Sequence, residues 1–254
     1  MITIISPAKT LDFDVEVQTK EHSKSEFLQE SKKIVDRLKD FSPNELANLM
    51  NINQELAALN YERYLKWELP FTKDNAKQAL MVFKGQVFVG LDAKTLSEKD
   101  LLFAQDHLRI LSGLYGILRP LDLMQPYRLE MGTKLKNPEG DNLYKFWGSK
   151  ITDFINKELS GQKTPFLINL ASNEYFKAIN PKKINGEIIT PVFKEAKGNG
   201  FKVITVYAKT ARGLMSRFII ENRIEEPSQL KAFDSDGYLF NHDLSTDKEW
   251  VFTR

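Results

Sequence analysis

The sequence predicts an α+β protein, a single compact domain over residues 1–254 with a mixed β-sheet core surrounded by helices. Short apolar runs at residues 1–5 and 166–170 are typical of buried strands. Residues 187–195 and 201–208 form a hairpin pattern through the turn at residues 197–200. Helical stretches separate these strands without a regular βαβ rhythm, which favours α+β over a doubly wound fold. Since no repeat or linker interrupts the chain, we expect one domain.

The N-terminal half is predicted to be mainly helical after the first strand, which Pro7 ends. Ser42 and Glu45 flank Pro43 in a capping-box pattern, and Ser97 begins a similar one. The sequence predicts helices at residues 25–39, 53–67, 72–83 and 97–113, a further helix that begins at Ser42, and a strand at residues 86–91.

The C-terminal half alternates helices with strands. The pattern predicts helices at residues 142–159 and 174–179 and one capped by Thr210, together with the strands named above. Gly161 is expected to close the first of these helices. Asp236 and Gly237 predict a turn beside one or two edge strands.

The composition excludes several kinds of chemistry. Hydrophobic residues make up 42% and charged residues 28% of the chain, which are ordinary globular values. The chain contains no cysteine, which excludes disulfides, thiol nucleophiles, cysteine-ligated metals and a thiol-based peroxide sensor. The first residues lack the basic start and the long apolar run of a signal peptide, so no signal peptide is predicted. No apolar stretch is long enough for a membrane helix. We therefore expect a cytoplasmic, monomeric protein without a cofactor or membrane contact.

The charge is distributed unevenly along the chain. Residues 177–223 contain ten Lys and Arg but only three Glu, a net charge of +7, whereas the whole chain carries +2. A basic segment in an otherwise acidic chain suggests an anionic partner. The alternative is a solvated lysine-rich surface.

Residues 108–132 contain three arginines and two tyrosines among apolar residues, glycines and prolines. The functional interpretation is a helix, a tight turn at residues 113–116 and a second helix, with backbone N–H groups directed at a phosphate. This is a helix-hairpin-helix-like element, although two residues rather than one separate its glycines. The structural interpretation is a rigid connection in which Arg119 pairs with Asp122 and Arg128 pairs with Glu130.

Two further motifs suggest anion binding. Residues 208–217 run from a predicted strand into a capped helix with three cations in its first turns, where a bound anion would favour the helix terminus. Ser6 and Lys9 have the S-x-x-K spacing of acyl-transfer enzymes, but the S-D-N and K-T-G elements of those enzymes are missing. Lys9 instead follows a strand end, where loops present ligand groups. The three histidines lie far apart, so no metal site is predicted.

Five stretches together resemble the YaaA family of peroxide-stress proteins. They are ISPAKTLDF, LRILSGLYGILRPLDLMQPYRLEMG, LYKFWG, INLASNEYF and KTARGLMSRFIIENR, at residues 5–13, 108–132, 143–148, 168–176 and 209–223. The resemblance implies a compact α+β fold and DNA binding through a basic cleft with a helix-hairpin-helix-like element. It also implies protection from oxidative DNA damage during hydrogen peroxide stress, with lowered free intracellular iron. It supplies no catalytic residues.

The leading hypothesis is therefore largely sequence-independent DNA binding through phosphates. Its candidate contacts are Lys9, Arg109, Gly113, Gly116, Arg119, Arg128, Lys177, Lys182, Lys183, Lys209, Arg212, Arg217 and Arg223. The alternative is an enzyme acting on a nucleotide or another phosphorylated small molecule. Its pocket would comprise Lys9, Tyr115, Arg119, Asp122, Arg128, Glu130, Asn169, Ser172, Glu174 and Arg217. A third possibility is an iron-handling protein.

Overall fold

A computed structural model describes residues 1–17 and 19–254. The helices are α1 (Leu28–Lys39), α2 (Pro43–Met50), α3 (Gln54–Lys66), α4 (Ala79–Val82), α5 (Gln86–Leu91), α6 (Glu98–His107), α7 (Leu143–Trp147), α8 (Lys150–Ser160), α9 (Asn173–Phe176) and α10 (Thr205–Glu221). The strands are β1 (Ile2–Ile5), β2 (Thr10–Leu11), β3 (Ser23–Lys24), β4 (Lys77–Gln78), β5 (Phe83–Lys84), β6 (Leu108–Ser112), β7 (Gly116–Leu118), β8 (Asp122–Met124), β9 (Phe166–Leu170), β10 (Glu187–Lys197), β11 (Gly200–Lys202), β12 (Leu239–Phe240) and β13 (Glu249–Thr253).

The largest sheet has the strand order β12-β13-β10-β9-β1-β6-β7, and β11 forms a hairpin with the end of β10. The strands from β13 to β6 run parallel to one another, whereas β12 and β7 lie antiparallel at the two edges. Helices α6 and α8 pack against β1, and α10 packs against β10. The predicted mixed sheet with surrounding helices is therefore confirmed.

The apolar character of β1 follows from its place in the sheet. It pairs in parallel with β6 on one side and with β9 on the other, and its Ile2, Ile4 and Ile5 have no exposed surface. A strand covered on both faces needs a continuous apolar run rather than alternation. The sequence correctly identified both β1 and β9 from such runs.

Both predicted capping boxes are present. The Ser42 amide donates to Glu45 Oε2 at 2.7 Å while the Glu45 amide donates to Ser42 Oγ at 3.4 Å. Ser97 and Asp100 make the same reciprocal pair at the start of α6. Each box satisfies backbone donors that the first helical turn leaves free.

Two predictions near residue 80 are wrong. The helix predicted over residues 72–83 is replaced by β4, the single turn α4 and β5, because β4 pairs with β8 and β5 pairs with β2. Residues 86–91 form the helix α5 rather than a strand. A six-residue apolar run does not distinguish a buried helix from a buried strand, and here packing against α10 determines the outcome.

The helix-hairpin-helix-like element is not found at residues 108–132, where it was predicted. The helix beginning after Ser97 ends at His107, and the next five residues form β6, which is fully buried between β1 and β7. β6 and β7 form a β-hairpin in which Ser112 pairs with Gly116. The periodicity of Leu101, Ala104, Leu108 and Leu111 does not reveal this switch from helix to strand.

Three other boundaries differ from the prediction. Gly148 has a φ of 51° and divides the helix predicted over residues 142–159 into α7 and α8. The strand predicted to reach residue 208 ends at Lys202, and α10 already begins at Thr205. Thr210 is therefore an interior residue of α10, where its hydroxyl donates to the Val206 carbonyl, and it is not a cap.

Candidate functional site

The candidate site lies at the carboxyl ends of β1 and β9. After β1, the next strand of this sheet in the chain is β6, which lies on one side of the pair. After β9, the next strand is β10, which lies on the other side. The crevice at such a switch point is the usual ligand site of parallel sheets. Here the loops after both strands are joined, since the Ser172 amide donates to Ser6 Oγ at 2.9 Å.

A cavity of about 590 Å³ opens at this point. It is lined by residues 6–10 after β1, 84–88 around the start of α5, 127–130, and 172–175 after β9, together with Lys209 and Arg212 of α10. We call this cavity and its rim the cleft. Its size is within the range of small-molecule and cofactor sites.

A charged network links two walls of the cleft. Lys9 Nζ lies 2.8 Å from Glu130 Oε2, and a guanidinium nitrogen of Arg128 lies 3.8 Å from the other oxygen of Glu130. The latter distance is too long for a hydrogen bond. The buried Nε of Arg128 has no hydrogen-bond partner among the described residues. Arg128 therefore retains free donor capacity beside the cavity, and a planar guanidinium suits an oxyanion.

Glu174 fixes the position of a third wall. Its Oε1 accepts a hydrogen bond from the Gly132 amide at 2.9 Å, and its carbonyl accepts one from Tyr144 Oη at 2.9 Å. Burial, with contributions from the neighbouring carboxylates of Glu174 and Glu130, raises the pKa of Tyr175. The short helix α9 is thus held against residues 127–132, and the two carboxylates belong to one region of the cleft.

The fourth wall depends on a close crossing of α5 and α10. A Cβ atom on Gly213 would overlap the Val87 carbonyl oxygen, and one on Gly90 would overlap the Thr210 carbonyl oxygen. Only glycine allows these two backbones to approach so closely. Because of this crossing, α10 carries Lys209 and Arg212 to the cleft beside α5.

Arg212 is the least compensated cation of the cleft. Burial lowers the pKa of its guanidinium, and no ion-pair partner is found for it in residues 1–17 and 19–254. Lys209 is exposed and also has no such partner within those residues. A partly buried charge without a counter-charge costs free energy, which a bound anion would offset. Both residues were predicted as anion contacts, but they lie beyond the first turn of α10, which begins at Thr205.

Four predicted arginine contacts are instead bound by acids outside the cleft. Arg109 is buried against Glu158, and its burial lowers its pKa to about 10. The remaining pairs are Arg119 with Asp122, Arg217 with Glu221 and Arg223 with Asp100. These four arginines are therefore paired and lie outside the cleft lining, and their role as DNA contacts stays a prediction.

Gly113 and Gly116 also have structural roles. Both are buried, and the Gly113 carbonyl accepts a hydrogen bond from Trp147 Nε1 at 3.0 Å. Gly116 has a φ of 68°, and the Trp147 ring occupies the space of its missing side chain. Residues 113–116 therefore do not offer a phosphate-facing turn.

The structural interpretation of residues 108–132 is confirmed. Arg119 Nε lies 3.3 Å from Asp122 Oδ1, and Arg128 lies near Glu130 as described. Tyr115 Oη accepts a hydrogen bond from Trp67 Nε1 at 3.1 Å and donates one to the Gln125 carbonyl at 3.1 Å. The segment forms β6, β7 and β8 with the turns that follow them, and only its residues 127–130 line the cleft.

The three lysines after β9 are not part of the cleft lining. Lys177 lies over the Tyr144 ring, 5.1 Å from its centroid. Lys182 and Lys183 are exposed in a 3₁₀ turn on the segment that returns to the start of β10. They remain candidates for additional phosphate contacts.

Half of the residues predicted for an enzyme pocket do converge. Lys9, Arg128, Glu130, Ser172 and Glu174 all line the cleft. The others do not line it; they are Tyr115, Arg119, Asp122, Asn169 and Arg217. Sequence reasoning missed Lys84, Gln86 and Phe88, the last two because residues 86–91 were assigned to a strand. The glycines at 85 and 90 were the available signal of close backbone contact.

Neither a metal centre nor a membrane segment is found in the part of the chain that the structure describes. No group of three or more His, Asp or Glu side chains there is arranged to hold a metal ion. No helix there combines the length and apolar character needed to cross a bilayer.

The fold and the cleft define a protein with a mixed sheet, surrounding helices and a cationic crevice at the switch point of that sheet. The family model described as peroxide stress protein YaaA matches residues 1–244, and the chain belongs to this family. Proteins named UPF0246 from Saccharophagus degradans and Hahella chejuensis are 54% and 52% identical to it. A further UPF0246 protein, from Ralstonia nicotianae, is also 52% identical. Each alignment covers 100% of this chain and 99% of the relative.

Proposed function

We propose that this peroxide-stress family member is a DNA-binding protein that limits oxidative damage, and that the cleft binds the sugar–phosphate backbone. The observation that supports this most is the charge of the cleft, where five cationic side chains face two carboxylates. The cations are Lys9, Lys84, Arg128, Lys209 and Arg212. The resemblance further implies lowered free iron in stressed cells, and that part of the proposal depends on the family alone.

Binding through these groups is expected to be largely independent of sequence. Phosphate contacts position a protein on DNA but carry no base information. Each neutralised phosphate releases condensed counterions, so the logarithm of the binding constant falls linearly with the logarithm of salt concentration. The slope of that line reports how many phosphates are contacted.

The double variant Lys209→Ala with Arg212→Ala tests the proposal. We expect weaker duplex binding and a slope of log K against log[salt] that is smaller by about 2, because two phosphate contacts are lost. Fluorescence anisotropy with a labelled duplex over a range of salt concentrations measures both quantities. A thermal melt of the variant checks that it folds.

The matched control is Lys157→Ala with Lys163→Ala. It removes the same charge from exposed positions at the end of α8 and before the amino end of β9, whereas the cleft lies at the carboxyl end of that strand. We expect it to retain the wild-type slope. If both double variants weaken binding equally, net charge rather than the cleft is responsible, and the proposed site is wrong.

A second candidate is an enzyme or binding protein for a free phosphorylated small molecule. The concave shape of the cleft and its volume of about 590 Å³ favour it. Thermal-shift titration with nucleoside monophosphates distinguishes the two functions. Stabilisation by nucleotides that is lost in the Lys209 and Arg212 double variant, together with no duplex binding, would favour the small molecule.

A further inference from the structure

The charged side chains of the cleft lie at different depths. The side chains of Lys9 and Lys84 are 61% and 67% exposed, whereas that of Glu130 is 28% exposed. Glu174 is half-buried and held by the Gly132 amide. Lys9 and Lys84 therefore form the rim, and the two carboxylates lie further inside, together with Arg128, whose side chain is 17% exposed.

This arrangement is poorly suited to phosphates alone. Carboxylates within a phosphate site repel the ligand, because like charges at short range raise its free energy. Carboxylates are good acceptors for the exocyclic amino groups of nucleobases, as in the pairing of Glu or Asp with cytosine N4. A nucleotide carries both groups, an anionic phosphate and a base edge with N–H donors.

The remaining wall is compatible with a base. Val87 and Phe88 contribute apolar surface to the lining, and Phe88 stacks on Phe83 with ring centroids 5.1 Å apart. A cavity of about 590 Å³ has room for one nucleotide but not for a duplex. A base paired within a duplex is not accessible to such a cavity unless it leaves the helical stack.

We propose that the cleft binds one nucleotide of the DNA strand with its base unstacked. The phosphate lies on the cations of the rim, and the amine-bearing edge of the base lies against Glu130 and Glu174. This inference depends on the proposed DNA-binding function, and it adds that a single unstacked nucleotide is the part of the DNA that enters the cleft. Unstacking costs least at a mismatch, so a mismatched base is the preferred occupant.

The test uses a short duplex with 2-aminopurine at a central mismatch, whose fluorescence increases when the base leaves the stack. At saturating wild-type protein we expect a severalfold increase in fluorescence at the mismatch and little increase when 2-aminopurine is paired with thymine. Saturation is established separately by anisotropy at low salt. Saturated binding without any fluorescence increase overturns the inference and leaves DNA binding intact, whereas no binding at all contradicts the proposed function itself.

The variant pair Glu130→Gln with Glu174→Gln separates base contact from phosphate contact. Glutamine keeps the size of the side chain and can still accept from Lys9 and the Gly132 amide. We expect tighter duplex binding, because two negative charges are removed from the cleft, but a smaller fluorescence increase at the mismatch. A full increase in this variant contradicts the role of the carboxylates. If the double variant melts early, Glu174→Gln alone is measured in the same way.

Competition identifies the source of the nucleotide. We expect that millimolar free nucleoside monophosphates leave the DNA-bound fluorescence largely unchanged, because the flanking phosphates of the strand add binding free energy. If a free nucleotide displaces the labelled DNA completely at a concentration far below the total concentration of DNA phosphate groups, the cleft binds a free nucleotide. That result overturns the strand-bound proposal.

Discussion

Replacing Gly213 with alanine is expected to lower the free energy of unfolding by about 3 kcal/mol. The added Cβ would overlap the Val87 carbonyl oxygen and lie 2.8 Å from the Leu91 amide nitrogen. Both atoms belong to the backbone of α5, so relief requires the two helices to separate. The opposing gain from helix propensity is only about 1 kcal/mol. Urea unfolding followed by circular dichroism measures the difference.

The control for this substitution is Gly161→Ala. Gly161 follows α8 with a φ of −86°, and its added Cβ would meet nothing closer than the Glu158 carbonyl oxygen at 3.6 Å. We expect a change of less than about 0.5 kcal/mol there. The Gly213 variant is also expected to bind DNA more weakly, because the crossing of the two helices positions Lys209 and Arg212. Equal stabilities of the two variants would show that the helix crossing does not require glycine.

Alkaline pH is expected to destabilise the protein steeply from about pH 10 upward. Burial raises the pKa of six tyrosines, of which Tyr64, Tyr115, Tyr127 and Tyr175 are the most buried. The unfolded chain loses these protons near pH 10 while the folded protein keeps them, so stability falls as pH rises. Arg109 acts in the opposite direction, since its folded pKa of about 10 is below its unfolded value. Because several tyrosines act in one direction, the net effect of raising the pH above about 10 is destabilising.

Urea unfolding between about pH 9 and about pH 11 measures this effect. The variant Tyr64→Phe is the matched comparison, because it keeps the ring and removes one ionisable hydroxyl. Its stability should fall less steeply, by about 1.4 kcal/mol per pH unit. A stability that stays constant over this range would mean that the phenols are accessible to solvent in the folded protein.

The parts of the fold that the sequence predicts well are those that local patterns determine. The capping boxes at Ser42 and Ser97 depend on side chains within three residues, and they form as expected. The strands β1 and β9 follow from apolar runs that suit the middle of a parallel sheet. The hairpin of β10 and β11 follows from its glycine turn.

The errors concern segments whose structure is determined by distant partners. Residues 108–112 continue an apolar helical pattern, but pairing with β1 makes them a strand. Residues 86–91 form a helix because Gly90 lies against α10, more than a hundred positions later in the chain. No local pattern reports such a contact, and an apolar run alone suits either structure.

The sequence predicted the types of residue in the candidate site better than it predicted which individual residues line the cleft. The motifs at Lys9, Ser172 and Arg212 do meet in one cleft. The loops after β1 and β9 lie at the carboxyl ends of these strands, and α10 contributes residues to the same cleft. The arginines at 109 and 119 had the same appearance in the sequence, but carboxylates bind them elsewhere. Charge in a sequence does not reveal which cations are already paired.

Site-specific photo-cross-linking tests the central claim, that DNA occupies the cleft, most directly. A benzophenone amino acid at Gln86, which lines the cleft, is expected to cross-link to a bound duplex, with a yield that falls as salt rises. The same group at Leu239, an exposed position on β12 three strands from β9, is expected to give little product. Equal cross-linking from both positions, or cross-linking from Leu239 alone, would contradict the claim.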